Sequence, residues 1–272
     1  MRDSSLPILD VNAVSKTFSA GTGEIQALSN ASLSIAKGEF ICLIGASGCG
    51  KSTLLRILGG FERPTAGSVK MWDQPILEPG PDRGMVFQDY ALFPWLTVRG
   101  NIAFGPKSRG RPRNEVQEIT NHFIDMVGLT KFADAYPHQL SGGMRQRVAI
   151  ARVLANDAQV ILMDEPFGAL DAMTRERLQE ELLELWARTK LTVIFVTHAI
   201  EEAILLADRV VVMTPGPGRI ESDNLITLAR PRDVSSPEFN DIRRSLSERL
   251  VSHHGGRSQK PAKAGALPKA AE

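Results

Sequence analysis

The stretch that most constrains this chain is Gly45-Ala46-Ser47-Gly48-Cys49-Gly50-Lys51-Ser52-Thr53. Ahead of it runs Phe40-Ile41-Cys42-Leu43-Ile44, apolar and short enough for a buried strand. Behind it, Leu54, Leu55, Ile57 and Leu58 mark one face of a helix that stops at Gly59-Gly60. Strand, glycine-rich turn and helix in that order make the phosphate-binding pattern GxxxxGK[ST]. The glycines let successive backbone N–H groups turn inward at a helix N-terminus, forming a nest for an anion. Lys51 is then in reach of β- and γ-phosphates, and the Ser52 hydroxyl in reach of a Mg2+ ion. With 272 residues, one large α/β domain or two small ones can bury a substantial core.

Bulk properties narrow the partners more than the fold. The formal net charge of +1 gives no global field for nucleic acid or an anionic membrane. The two cysteines, Cys42 and Cys49, fall on the first core strand and in the glycine loop, at a spacing that suits neither a metal site nor a disulfide. A reduced, cytoplasmic compartment is expected. The start, Met1-Arg2-Asp3-Ser4-Ser5, lacks the apolar stretch of a signal peptide, and no run approaches the roughly 20 apolar residues of a membrane helix. Any membrane role is expected to come through a partner.

Further strands are read at Ile8–Val11, Ala31–Ile35, Gly67–Trp72 and Gly84–Gln88, the first two short. Phe18 suits a core position or a base-stacking one, and spacing alone favours the core. Gln88, at a strand end, is either turn chemistry or a nucleotide contact. Residues 105–113 read as a solvated basic loop, and Val116, Ile119, Phe123 and Met126 as one helical face. Leu140-Ser141-Gly142-Gly143-Met144 opens another helix. Ser141 is a natural N-cap, and the glycines leave amides uncovered at the positive end of the helix. A bare Ser-Gly-Gly is equally a plain capped start.

Val160-Ile161-Leu162-Met163-Asp164-Glu165 is a continuously apolar strand ending on two acids, as in a parallel sheet buried on both faces. Ligands of such sheets bind at the carboxyl ends of strands. Asp164 is placed to organise Mg2+, and Glu165 to address an attacking water. Ala169-Leu170-Asp171 leads into an amphipathic helix from about Thr174 to Thr189. Thr192–Thr197 is another buried strand, ending on His198, which can meet a γ-phosphate or be structural. Val210–Met213 is a last strand, turned back by Gly216-Pro217-Gly218. Residues 252–272, rich in Gly, Lys, Ala and Pro, are expected to be a disordered tail.

Together these segments resemble the ATP-binding subunit of ABC transporters over residues 8 to 230. Gly45–Thr53 matches the Walker A loop, Gln88 the Q-loop, Leu140–Met144 the signature, Val160–Asp164 the Walker B strand and Glu165 its catalytic glutamate. Ala169-Leu170-Asp171 matches the D-loop, His198 the switch histidine, and Phe18 the adenine-stacking aromatic. Met144 stands where the commonest signature has glutamine, which implies altered tuning.

The resemblance implies a P-loop NTPase fold in one domain, residues 1–251. It would comprise a RecA-like core, an antiparallel β subdomain and a helical subdomain inserted at roughly 89–157. It implies ATP and Mg2+, with the metal at Ser52, Gln88 and Asp164, and catalysis by Glu165, His198, Lys51 and Gln88. It also implies a head-to-tail homodimer in which Ser141, Gly142 and Gly143 of one subunit cover ATP on the other. The protein would lie at the cytoplasmic face of the inner membrane, bound to permease subunits served by an extracytoplasmic solute-binding protein. Pro81–Gln88, Leu92–Leu96, Met213–Ile220, Arg230–Asp233 and Ser236–Phe239 resemble the nitrate, sulfonate and taurine importer subfamily. The alternative is a soluble ABC ATPase of DNA repair or the ribosome, but such chains carry two cassettes or a long coiled-coil insertion, and this one has neither.

Overall fold

The computed structural model describes residues 7–252 apart from 22, 88 and 169. The expected Q-loop residue Gln88, and the tail from 253, therefore lie outside the described residues. In chain order the elements are β1 (Leu9–Ala20), β2 (Gly23–Ile35), β3 (Phe40–Gly45), α1 (Lys51–Leu58), β4 (Ala66–Met71), β5 (Gln74–Pro75) and β6 (Arg83–Val86). Then come α2 (Val98–Ser108), α3 (Arg113–Met126), α4 (Gly142–Leu154), β7 (Val160–Asp164), α5 (Ala172–Thr189) and β8 (Thr192–Val196). The chain finishes with α6 (Ile200–Leu206), β9 (Arg209–Thr214), β10 (Arg219–Leu225) and α7 (Pro237–Ser252), so that Ser252 closes a helix rather than opening a tail.

Two sheets organise these elements. The larger has the order β10-β9-β3-β8-β7-β6, parallel from β9 to β6, with β10 antiparallel at the edge. Every residue of β3 and β8 is buried, the condition under which an apolar run without alternation is stable. The two-residue period divides the strands between two cores. Phe40, Cys42 and Ile44 of β3 face α4, α5, α6 and α7, whose contributions include Val153, Leu178, Ile204 and Phe239. Ile41 and Leu43 face α1 and the smaller sheet. Burying a side chain such as Phe195 contributes about 1.5–3 kcal/mol, and it touches Phe40 and Phe167 at ring separations of 6.0 and 5.5 Å.

The smaller sheet is antiparallel, with the order β2-β1-β4-β5. Here the expectation of short strands is corrected: β1 and β2 form a long hairpin paired from Leu9↔Ile35 to Ala20↔Gly23. Register shifts between Val11 and Thr17 break the apolar alternation, and the first four residues of β2 are exposed, so no apolar period marks their length. A backbone seam joins this sheet to the larger one. There Gly218 N donates to Ala27 O at 3.0 Å and Gly218 O accepts from Ser29 N at 2.9 Å.

Between β6 and β7 the described chain is helical and has its own core, including Val98, Ile102, Ile124, Leu140, Val148 and Ala151. The expectation of a loop at 105–113 is corrected in its first part, because α2 continues through Gly105 and a buried Pro106 to Ser108. Beyond it the basic residues are paired. Arg109 meets Asp157 at 3.1 Å, and Arg111 meets both Glu115 and Asp157. On α3 the fully buried positions are Val116, Thr120 and Ile124, with Ile119, Phe123 and Met126 only partly covered.

Candidate functional site

The carboxyl ends of β3, β7 and β8, adjacent in the sheet, open on one cleft of about 210 Å3 lined by Ala27, Ser47, Gly48, Gly50, Lys51, Ser52, Thr53 and Glu165. Two glycines make it possible. Gly48 has φ +76° with nothing near its Cα on the open side. Gly50, the residue before α1, has φ +90°, and a Cβ there would lie 2.6 Å from the Leu28 side chain and 2.7 Å from Ala27 O. An L side chain is excluded at Gly50 on both counts.

Lys51 is buried, and its ammonium is turned into the loop, donating to Gly45 O at 2.8 Å and Ala46 O at 3.1 Å. Those two residues do not line the cleft; their carbonyls hold the lysine. Cys49 is fully buried with its sulfur 3.8 Å from that ammonium. Burial pushes the Cys49 thiol up, against the lowering pull of Lys51. The thiol is therefore protonated and inert at neutral pH.

Across the cleft Ser52 Oγ donates to Asp164 Oδ1 at 2.9 Å. A hydroxyl and a carboxylate are hard oxygen donors that suit Mg2+, which keeps several waters and takes its remaining ligands from a polyphosphate. Among the described residues no cluster of three His, Cys, Asp or Glu could cage a metal by protein alone.

Glu165 lies just beyond β7 at φ +46°, a conformation that costs on the order of 1–2 kcal/mol for an L residue. It is held there by its N–H, which donates to Val196 O at 3.0 Å. Its Oε2 lies 3.3 Å from His198 Nδ1, the histidine being 67% exposed. The two sequence-distant groups therefore meet at the mouth of the cleft.

Other sequence-derived candidates lie elsewhere. Phe18, 37% exposed on β1, pairs with Ile25, two residues from Ala27, and carries the Lys16 ammonium 4.8 Å from its ring centre. Ser141 caps α4, its Oγ accepting from Met144 N at 3.3 Å. Gly142 and Gly143 follow beside α5, and none of the three lines the cleft. Asp171 caps α5, accepting from Thr174 N at 3.0 Å, and this backbone bond holds its carboxyl below the usual range. Sequence reasoning missed Ala27, in the cleft wall, and a small adjoining hollow where Arg175, Thr197 and Glu202 meet Glu165 and His198. Thr197 and Glu202 flank His198 closely in sequence, but nothing local marks them out.

Fold and cleft define a P-loop nucleoside triphosphatase. A family model described as ABC transporter matches residues 28–168. An ABC transporter ATP-binding protein of Methanocaldococcus jannaschii is 52% identical over 90% of this chain and 92% of the relative. The nitrate import ATP-binding protein NrtD of Synechococcus elongatus is 49% identical, with 86% and 88% covered, and the taurine import ATP-binding protein TauB of Roseobacter denitrificans 48%, with 81% and 83%. Among solved structures, a dimeric ATP-binding cassette in a post-hydrolysis state with ADP and Pi superposes with TM-score 0.71 at 34% identity, over 81% of this chain and all of that one. CbiO1 of Clostridium perfringens, part of an ABC transporter complex, gives 0.74 at 27% identity, with 91% and 93% covered. The chain belongs to the ABC transporter family, and it is an ATPase that works on ATP with Mg2+.

Proposed function

We propose that this ATPase powers an importer of a small anionic or zwitterionic solute of the nitrate, sulfonate or taurine type. The observation that carries the ATPase mechanism is the convergence of Lys51, Ser52, Asp164, Glu165 and His198 where three adjacent strands end. Lys51 and the amides from Gly45 to Thr53 receive the phosphates, the lysine exchanging its loop carbonyls for phosphate oxygens. Ser52, Asp164 and Gln88 would hold the Mg2+, which would supply positive charge to offset that of the phosphates. Glu165 orients the attacking water, His198 steadies the γ-phosphate and Phe18 stacks on the base. Ser141, Gly142 and Gly143 are out of reach of their own cleft, so two copies face head to tail and each covers the other's nucleotide, with Asp171 at that contact. The ATPase domain spans 1–251 and its helical subdomain about 89–157.

Among the described residues no helix is long and apolar enough to cross a membrane. The proposal places the protein at the inner membrane, held there by a permease. An aromatic patch on the helical part supports that. The rings of Phe93 and Phe104 lie 4.5 Å apart, Trp95 is 70% exposed beside Phe93, and a hollow of about 190 Å3 adjoins them. An exposed tryptophan fits a docking surface rather than a core. The names of the nitrate and taurine relatives support the solute class. The test is reconstitution with the permease and a set of solute-loaded binding proteins. Stimulated hydrolysis is expected with a nitrate-, sulfonate- or taurine-loaded protein, and stimulation by a sugar- or peptide-loaded one alone would overturn the solute class. Trp95→Ala should leave nucleotide binding intact and weaken assembly with the permease; an insoluble variant would return Trp95 to a core role.

A further inference from the structure

His198 projects from the short connection between β8 and α6, largely exposed, so its position depends on what fixes that connection from behind. The fixing groups are buried and polar. Thr197, 2% exposed, accepts from Ala199 N at 3.0 Å and so ties together the two neighbours of His198. Glu202, four residues past the histidine and 7% exposed, accepts from Gln179 Nε2 of α5 at 2.8 Å, and Gln179 is itself buried. The Thr197 side chain lines the same small hollow as this carboxylate. Arg175, one turn earlier on α5, adds favourable charge to it and donates from Nη2 to Leu170 O at 2.9 Å, next to Asp171. Arg175, Thr197, Glu202, Glu165 and His198 line one small hollow.

A carboxylate buried this deeply is costly unless bonded, and an apolar residue would serve packing alone at least as well. Its bond runs to the face of α5, and it shares the hollow with Thr197, just past the end of β8, and with His198. We propose that Glu202 is a positioning residue for ATP hydrolysis, holding the Thr197–Ala199 turn so that His198 stands against Glu165 and the γ-phosphate. This rests on the assignment of Glu165 and His198 to the reaction. Through Arg175 the same carboxylate is also tied to the segment that precedes α5. The stem thus spans β8, α5 and α6 while the group it serves remains in solvent. Burial raises the Glu202 carboxyl above its ordinary range, against the lowering effects of Thr197, Gln179, Arg175 and His198.

The test is a double-mutant cycle in steady-state ATP hydrolysis by the full chain, with melting temperature measured alongside. Glu202→Gln should lower kcat about tenfold, as expected of a modest misplacement, and leave KM for ATP within about twofold. In a His198→Ala background the same substitution should cost nothing further, because its effect passes through the histidine. An unchanged kcat in Glu202→Gln, a change confined to KM, or losses that multiply in the double variant would each overturn the proposal. Should Glu202→Gln fail to fold, Gln179→Met removes the donor to Glu202 at similar length, and the same outcomes are read from it. A His198→Ala protein with wild-type kcat would remove the site assignment and this inference with it. A slow His198→Ala protein beside a Glu202→Gln protein of wild-type rate would remove this inference alone.

Discussion

Helices α1 and α4 both start where a glycine and a serine lie close in sequence, and the two starts stand in opposite circumstances. At α1 the chain completes its own structure: Lys51 is buried on the carbonyls of Gly45 and Ala46, Gly50 is pressed against Leu28, and Ser52 is bonded to Asp164. At α4 the cap is a single 3.3 Å bond from Met144 N to an exposed Ser141, and a Cβ at Gly142 would meet the Leu170 side chain at 3.2 Å and Tyr90 Oη at 3.9 Å. Both starts carry the uncovered amides of any helix N-terminus. Only the first lies in a cleft with a cation, a hydroxyl and carboxylates around it. A shared backbone motif therefore does not make two equal sites. The surroundings equip the first for an anion, and on the proposed head-to-tail dimer the second would complete the site of the other copy.

The largest effects should come from the α1 side. Lys51→Ala should weaken ATP binding by about 100-fold or more, measured by titration with a fluorescent nucleotide. Glu165→Gln should bind ATP normally, hydrolyse it about 100- to 1000-fold more slowly and elute as a dimer in the presence of ATP. Normal turnover in Glu165→Gln would erase the contrast between the two helix starts. The next test joins them directly: a protein carrying Ser47→Cys and Ser141→Cys should crosslink between subunits when ATP is present. Cys49 cannot serve in that experiment, because its side chain is fully buried. Crosslinking only within a monomer would mean that one chain closes its own site.

A smaller effect belongs to α4 alone. Ser141→Ala removes its cap and should cost about 1 kcal/mol, about 2–4 °C in melting temperature, well below the kinetic cost in the assembled dimer. The smallest concerns Glu202. Burial raises its carboxyl, so the folded protein holds that proton more tightly than the unfolded chain does. That contribution is complete below the ordinary carboxylate range and is lost as pH rises through the raised value. Glu202→Gln has no such proton. Its melting temperature relative to wild type should therefore climb as pH rises from the ordinary carboxylate range through the raised value, and a flat difference would show that the carboxyl is not shifted.

Much of this was legible in sequence because the chemistry is local. The loop from Gly45 to Thr53 carries its strand, turn and helix in one stretch, and β7 and β8 announce themselves as unbroken apolar runs. Ser141 as a cap and the start of α5 near Asp171 follow from side chains that act within three residues. What was not legible depends on distance or on lost periodicity. The long β1–β2 hairpin hides behind register shifts and an exposed, polar half. The end of α2 runs through Gly105-Pro106, residues that normally stop a helix, and burial of Pro106 outweighs their propensity. The bond from Gln179 to Glu202 joins two helices with β8 between them, and neither residue differs in sequence from its exposed neighbours.

The seam at Gly218 fixes more than two sheets. Ala27, bonded to Gly218 N, also forms the wall against which Gly50 is pressed, so the hairpin bearing Phe18 and the phosphate loop share one anchorage. Neither can shift without breaking the other's backbone contacts. A nucleotide laid along them meets a gauge of set length rather than a closing hand. The helices between β6 and β7 take no part in that anchorage and keep a core of their own. On the proposed function, work drawn from ATP would leave the molecule on that side, where Trp95 and Phe104 are exposed beside Phe93.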